Sequence, residues 1–149
     1  MASVSYFESR SGKPDCTPEE IFDFVTDIRN FQRFIPSGTV ADWEASKDHC
    51  SFRVPKVGNV ILRLVQEERP TLVAFKGTAL KDNDFDLVVH ISQNSSDKAD
   101  VKIALNAELN PMMKMIASKP IGQFLEMLVD RMENFSCSDL HNMNSTSLK

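Results

Sequence analysis

Residues 121–135 read IGQFLEMLVDRMENF, and this stretch decides the fold. Its large apolar residues recur every three or four positions, which is the spacing that places side chains on one face of an α-helix. These residues are Ile121, Phe124, Leu125, Leu128, Val129, Met132 and Phe135. The spacing therefore predicts an amphipathic helix near the end of the chain, extending to about Ser136.

Upstream of this helix, the hydrophobic period changes to that of strands, in which alternate side chains share a face. Six strands are predicted, at residues 40–45, 49–54, 59–67, 71–79, 85–92 and 99–109, and a seventh precedes them at residues 3–10. Polar residues such as Asp86 and Lys102 alternate with the apolar ones. This alternation is typical of an antiparallel sheet with one solvated face.

Short helices flank these strands. Thr17, Pro18 and Glu20 form the signature of a capped helix start, with the glutamate three residues after the cap. A second short helix is predicted from Asn30 to Phe34. Residues 112–118 also look helical, and Pro120 predicts a kink or break before the main helix.

The order of strand, two helices, six strands and long helix predicts an α+β fold. A curved antiparallel sheet of about seven strands would wrap around the C-terminal helix, with the two short helices after the first strand. One helix has too little side-chain volume to fill the concave face of such a sheet. The predicted architecture therefore leaves a cavity, and it indicates binding more than a reaction.

The 149 residues fit a single domain at 1–136, followed by a polar segment at 137–149 that we expect to be disordered. The net charge is −4 and no cluster of Lys and Arg stands out, which argues against nucleic-acid binding. No apolar run approaches the roughly 18 to 20 residues of a membrane span. The sequence does not indicate an oligomeric state.

The cysteines and histidines form no pattern typical of a reactive site. Cys16, Cys50 and Cys137 are odd in number and lack CxxC spacing, so neither a disulfide framework nor a zinc site is predicted. This cysteine usage favours a cytoplasmic location. The three histidines lack the spacing of metal ligands or of a catalytic triad. We therefore expect no metal, no cofactor and no catalytic residue.

Three features together resemble the START-like (SRPBCC) superfamily: the segment TPEEIFDFVTD at residues 17–27, the following Phe31 to Pro36, and the closing amphipathic helix. The resemblance extends to about residue 136 and implies a helix-grip fold. Phe34-Ile35-Pro36 is most similar to the branch that contains polyketide cyclases/dehydrases and an accessory protein of carbon monoxide dehydrogenase. The superfamily includes carriers, cyclases, hydrolases and regulators, so the resemblance by itself chooses no function.

The predicted inner face of the sheet is almost devoid of acids, bases and nucleophiles. Its one reactive side chain is Cys50, and a lone buried cysteine behaves as a small hydrophobe. We therefore predict a non-enzymatic binding protein for an apolar or amphipathic small molecule, lipid-like or aromatic. The predicted ligand contacts are Trp43, Phe52, Leu62, Phe75, Leu87, Val89, Ile103, Met113, Ile121, Phe124 and Leu128.

Two side-chain roles stay open at this point. Met112, Met113 and Ile116 either form a lid over the cavity mouth or fill gaps in the core, since methionine adapts to irregular apolar surfaces. Trp43, the only tryptophan, either stacks on a planar ligand or packs the core.

Two other functions also stay open. A cyclase or dehydratase would need ionisable groups inside the cavity, and the strands could supply them only by turning inward Asp42, Glu44, Arg53, Arg63 or His90. An assembly or recruitment factor for a redox enzyme, which the resemblance to the carbon monoxide dehydrogenase branch suggests, would act through its surface instead.

Overall fold

The computed structural model describes residues 3–33, 40–54, 58–79 and 83–134. The strands are β1 Ser3–Glu8, β2 Ala41–Ala45, β3 His49–Val54, β4 Gly58–Glu68, β5 Leu72–Ala79, β6 Asn83–Gln93 and β7 Ala99–Leu109. The helices are α1 Pro18–Val25, a 3-10 helix at Ile28–Arg33, and α2 Pro111–Glu133. These elements follow the predicted order.

The strands form one antiparallel sheet in the order β1-β7-β6-β5-β4-β3-β2. Consecutive strands are neighbours throughout, except that β1 returns to pair with β7, with Ser3 opposite Leu109. Since the long helix follows β7 and packs against β7 and β1, the predicted α+β helix-grip fold is confirmed.

One face of the sheet is apolar, in agreement with the alternation in the sequence. On β6, Leu87, Val89 and Ile91 are buried, and on β7 so are Val101 and Ile103. The opposite face carries charged side chains, among them Lys76 and Asp86, whose Nζ and Oδ1 atoms are 3.3 Å apart. The hydrophobic core therefore lies on the side of the sheet that carries the helices.

α1 begins at the predicted cap. The Glu20 backbone N–H donates to Thr17 Oγ1 at 3.2 Å, and the Thr17 N–H donates to the Glu20 carboxylate at 2.8 Å. The buried residues of α1 include Ile21, Phe22 and Val25, and the helix packs on β5, β6 and β7. This packing fills one part of the apolar face of the sheet.

The second short helix begins earlier than predicted, at Ile28, and it is a 3-10 helix. The Ile28 N–H donates to the Lys47 carbonyl at 2.9 Å. This bond ties the start of the 3-10 helix to the turn between β2 and β3. The predicted end of the helix at Phe34, and the following Pro36, lie outside the described residues.

The predicted break at Pro120 is wrong: α2 is helical from Pro111 to Glu133. Proline removes one backbone donor, which leaves the carbonyl of Ile116 without its helical partner. Ile116 lies in an exposed turn, where water can satisfy that carbonyl. The helix therefore continues through the proline, and residues 112–120 become part of the same long element.

The C-terminal part of α2 is held to the turn after β1 by charge. The guanidinium of Arg10 pairs with the carboxylates of Asp130 and Glu133, and the Lys13 N–H donates to Glu133 Oε2 at 2.8 Å. These contacts hold the pKa of Glu133 below its usual range, with the Arg10 hydrogen bond as the main cause. The pairs are largely exposed, so they orient α2 more than they stabilise it.

The cysteine prediction needs a correction, because Cys16 is disulfide-bonded. Cys50 is a free, buried thiol, and Cys137 lies outside the described residues. Cysteine usage therefore does not support the inference of a reducing compartment. Among the described residues, no helix has the length and hydropathy to cross a bilayer. Phe135, Ser136 and the predicted tail at 137–149 are not described, so the domain boundary stays a prediction.

Candidate ligand-binding cavity

A cavity of about 140 Å³ lies between the apolar face of the sheet and α2. All of its lining residues are apolar in type. They are Phe31, Trp43, Phe52, Val54, Val60, Leu62, Phe85, Leu87, Leu105, Ala107, Leu109, Ala117, Pro120, Ile121, Phe124 and Leu128. Trp43 Nε1 is the one polar side-chain atom that this set contains.

The walls follow from the two hydrophobic periods in the sequence. Alternate positions on β3, β4, β6 and β7 supply the sheet side. Ala117, Ile121, Phe124 and Leu128 supply the helix side, at the three-to-four-residue spacing of one helix face. The 3-10 helix adds Phe31, whose ring packs edge-on against Phe75 with centroids 5.1 Å apart.

Trp43 on β2 closes the cavity near the edge of the sheet. Its ring stacks on Phe52 of β3, with centroids 5.5 Å apart and an angle of 26° between the planes. Trp43 is only partly buried. Of the two roles left open by the sequence, this position combines both, because the ring packs on Phe52 while facing the cavity.

Gly77 makes room for one wall of the cavity. It lies directly opposite Phe85 in the β5–β6 pairing, and the Phe85 ring covers the glycine. A Cβ placed at position 77 would be 2.2 Å from Phe85 Cζ, which is far inside van der Waals contact. The position of the Phe85 ring therefore depends on the missing side chain.

We expect Gly77→Ala to displace the Phe85 ring, and so to change the cavity wall. The cost in free energy of unfolding should be about 1–3 kcal/mol, the usual range for overpacking, and apolar ligands should bind more weakly. Urea melts and ligand titrations measure both effects. In a Phe85→Ala background the added methyl group should cost much less, because its steric partner is gone.

Gly122→Ala provides the matched control for this substitution. A Cβ at position 122 meets nothing within 4 Å, and alanine is the better helix former by about 0.5–1 kcal/mol. The same chemical change should therefore stabilise the protein at position 122 and destabilise it at position 77. Equal effects at the two positions would contradict the placement of the Phe85 ring.

The structure brings seven of the predicted contact residues to the cavity wall: Trp43, Phe52, Leu62, Leu87, Ile121, Phe124 and Leu128. Four others lie outside the lining. Phe75, Val89 and Ile103 are on the expected face of the sheet but are buried in the core, on the strands that α1 covers. Met113 packs against the edge of the core.

Three lining residues carry no usable signal in the sequence. Phe31 enters from the 3-10 helix, and no periodicity predicts where the ring of a short helix will lie. Ala117 and Pro120 are not predicted because a break at Pro120 would separate them from the main helix. On a continuous helix, Ala117 is one turn before Ile121 and shares its face.

The methionine lid is not formed. Met112 and Ile116 are exposed to solvent, and none of Met112, Met113 and Ile116 lines the cavity. Their spacing is compatible with closing the mouth, but the first turns of α2 direct this face away from the sheet.

The ionisable residues that an enzyme would need in the cavity are all exposed. Asp42, Glu44, Arg53, Arg63 and His90 face solvent, and Asp42 Oδ2 lies 3.2 Å from the Arg53 guanidinium in a surface pair. Within the described ranges, no three His, Cys, Asp or Glu side chains are grouped to hold a metal ion.

Cys50 is fully buried but does not line the cavity. Desolvation raises the pKa of its thiol from 9.0 to about 12. A thiol is nucleophilic only as the thiolate, so this side chain stays neutral and unreactive at physiological pH.

We expect iodoacetamide to alkylate native Cys50 about a thousandfold more slowly than an unfolded cysteine at pH 8, since three pKa units separate their thiolates. The rate should rise about tenfold per pH unit until the thiol ionises. Timed alkylation with peptide mapping measures this rate in buffer and in urea. Similar rates in the two solvents would show that Cys50 is accessible.

Comparison with solved structures identifies this fold in other proteins. A truncated norcoclaurine synthase from Thalictrum flavum has a TM-score of 0.71 at 10% sequence identity, over 89% of this chain and 92% of that one. The same enzyme in complex with dopamine and hydroxybenzaldehyde gives 0.67 at 8% identity, over 89% and 86%. Protein Mll3558 from Rhizobium loti gives 0.65 at 10% identity, over 89% and 97%.

These likenesses show that the chain has a START-like, SRPBCC-type fold, in agreement with its motifs. At identities of about one residue in ten they show the fold alone. No family model and no curated protein matches the sequence.

Proposed function

We propose that the protein binds and carries a small apolar or aromatic molecule in the cavity between the sheet and α2. The observation that supports this most strongly is the lining itself, in which every residue is apolar in type. Such a site gains affinity by removing ligand surface from water, with few directional contacts. The residues proposed to contact the ligand are the seven predicted positions on the wall, together with Phe31, Phe85 and Ala117.

The volume of the cavity limits the ligand. An apolar cavity of roughly 150 Å³ stays dry and holds a benzene-sized molecule, and this cavity has about 140 Å³. A single aromatic ring, or a short acyl or isoprenoid segment, matches that volume, whereas a polycyclic molecule would require the walls to move. The norcoclaurine synthase complex, with its single-ring compounds, supports a ring-sized ligand for this fold.

Titration with toluene, p-cresol and octanoate tests the proposal, with Trp43 as the reporter. Trp43 is the only tryptophan and lines the cavity, so a bound ring should change its emission. We expect saturable binding of at least one of these probes at one molecule per chain. In Trp43→Phe the fluorescence signal should vanish while calorimetry still detects binding. No saturable binding of any of the three would overturn the proposal.

The described residues favour the carrier over the cyclase or dehydratase alternative. Acid-base chemistry needs a titratable group within hydrogen-bond reach of the reacting atoms, and the five candidates face solvent instead. The assembly-factor alternative depends on the surface, and co-purification of a redox-enzyme component in stoichiometric amount would favour it.

A further inference from the structure

The first two turns of α2 expose an apolar face to solvent. Met112, Met115 and Ile116 are 71%, 83% and 59% exposed. Their i, i+3, i+4 spacing places them side by side on the helix. Single exposed hydrophobes need no explanation, but a contiguous group marks a surface that contacts something apolar.

The charges around this face are positive. Lys119 continues the same row three residues after Ile116, and Lys114 lies on the same turns. Residues 111–120 contain no Asp or Glu, although the whole chain has a net charge of −4. We call Met112, Lys114, Met115, Ile116 and Lys119 the α2 docking face. Exposed apolar side chains interleaved with lysines are complementary to an anionic, partly apolar surface.

The docking face lies next to the cavity. Ala117, Pro120 and Ile121 belong to the same turns of α2 and line the cavity. Pro120 is also exposed to solvent, so the cavity wall reaches the protein surface beside Ile116 and Lys119. A surface bound to the docking face would therefore be close to the cavity.

We propose that the α2 docking face binds the surface of an anionic lipid bilayer, where the cavity takes up or releases its ligand. Met112, Met115 and Ile116 enter the boundary between headgroups and acyl chains, and Lys114 and Lys119 contact the anionic headgroups. The exchange of ligand depends on the proposed carrier function, but the docking does not. Three apolar side chains and two lysines give weak, reversible binding that salt reduces.

Co-sedimentation with lipid vesicles tests the docking. The full-length protein should bind vesicles of phosphatidylcholine with phosphatidylglycerol about tenfold more tightly than vesicles of phosphatidylcholine alone, since each lysine near an anionic surface contributes to the attraction. Met115→Glu combined with Ile116→Glu should abolish binding. Lys114→Gln combined with Lys119→Gln should remove the preference for anionic vesicles and the dependence on salt.

Val65→Glu is the matched control. Val65 is 53% exposed on β4, similar to Ile116, and its replacement adds negative charge away from the docking face. Vesicle binding should fall far less in this variant than in the Met115/Ile116 variant. Equal losses would indicate a general charge effect and overturn the proposal, as would a wild-type protein that binds neither kind of vesicle.

Two further measurements separate the possible failures. Loss of a dimer in the Met115/Ile116 variant, measured by sedimentation, would show that the face joins two copies of the chain, and would overturn lipid docking. The same variant should still bind toluene or octanoate, and a variant with a filled cavity should still bind vesicles. If vesicles bind but no apolar probe does, the carrier function fails and the docking stands.

Discussion

Replacing Ala117 by Phe is expected to abolish ligand binding while the protein stays folded. Ala117 is only 3% exposed and its side chain lines the cavity from α2. A phenyl ring at this position would occupy most of a cavity of about 140 Å³, because a space of that size holds about one benzene ring. Affinity for toluene or octanoate should fall more than tenfold. The melting temperature should be unchanged or higher, since filling a cavity restores lost packing contacts.

Gln123→Phe is the control for this change. Gln123 lies on the exposed side of the same helix, so the variant adds an equal ring without entering the cavity. Calorimetric titration of both variants, together with thermal melts, measures binding and stability separately. If Ala117→Phe binds its ligand like the wild type, the ligand does not occupy this cavity. If Ala117→Phe unfolds, the walls cannot accept a ring, and Ala117→Val provides the smaller step.

Leu125→Ala should have the largest effect on stability among single substitutions in α2. Leu125 is 1% exposed and does not line the cavity, so its side chain is packed on all sides. Loss of its buried methyl groups leaves a new void, and such substitutions cost about 2–5 kcal/mol in free energy of unfolding. Equilibrium unfolding in urea measures this cost, with the slope checked for two-state behaviour.

Phe124→Ala separates packing from binding. The sequence alone indicates Phe124 and Leu128 as the costly positions, but both border the cavity, and Phe124 is only partly buried. Phe124→Ala should therefore destabilise less than Leu125→Ala and weaken ligand binding more. The reverse order would place Phe124 in the packed core and Leu125 at the ligand.

Much of this fold is readable from local patterns. The cap at Thr17 and the alternation in β6 and β7 each depend on neighbouring residues only, and the structure has both at the predicted positions. The inner face of the sheet follows from the same alternation, because side chains of one strand point alternately to its two sides. A cavity under α2 follows in turn, since one helix cannot cover seven strands.

The extent of the cavity is not readable in this way. Phe75, Val89 and Ile103 have the same strand pattern as Leu87, but α1 and the 3-10 helix cover their part of the sheet. Only tertiary packing decides which apolar side chains face a helix and which face empty space. The disulfide of Cys16 and the passage of α2 through Pro120 escape prediction for a related reason. In both cases long-range context outweighs a local rule.

Native mass spectrometry of the protein purified from its own host, followed by organic extraction of any bound molecule, tests the carrier function most directly. The account predicts one apolar or aromatic mass per chain, which changes Trp43 emission when it is added back to stripped protein and fails to bind Ala117→Phe. A protein that carries no such molecule, and that also fails to bind toluene, p-cresol and octanoate, would contradict it. The cavity would then be a packing defect, and function would lie on the surface.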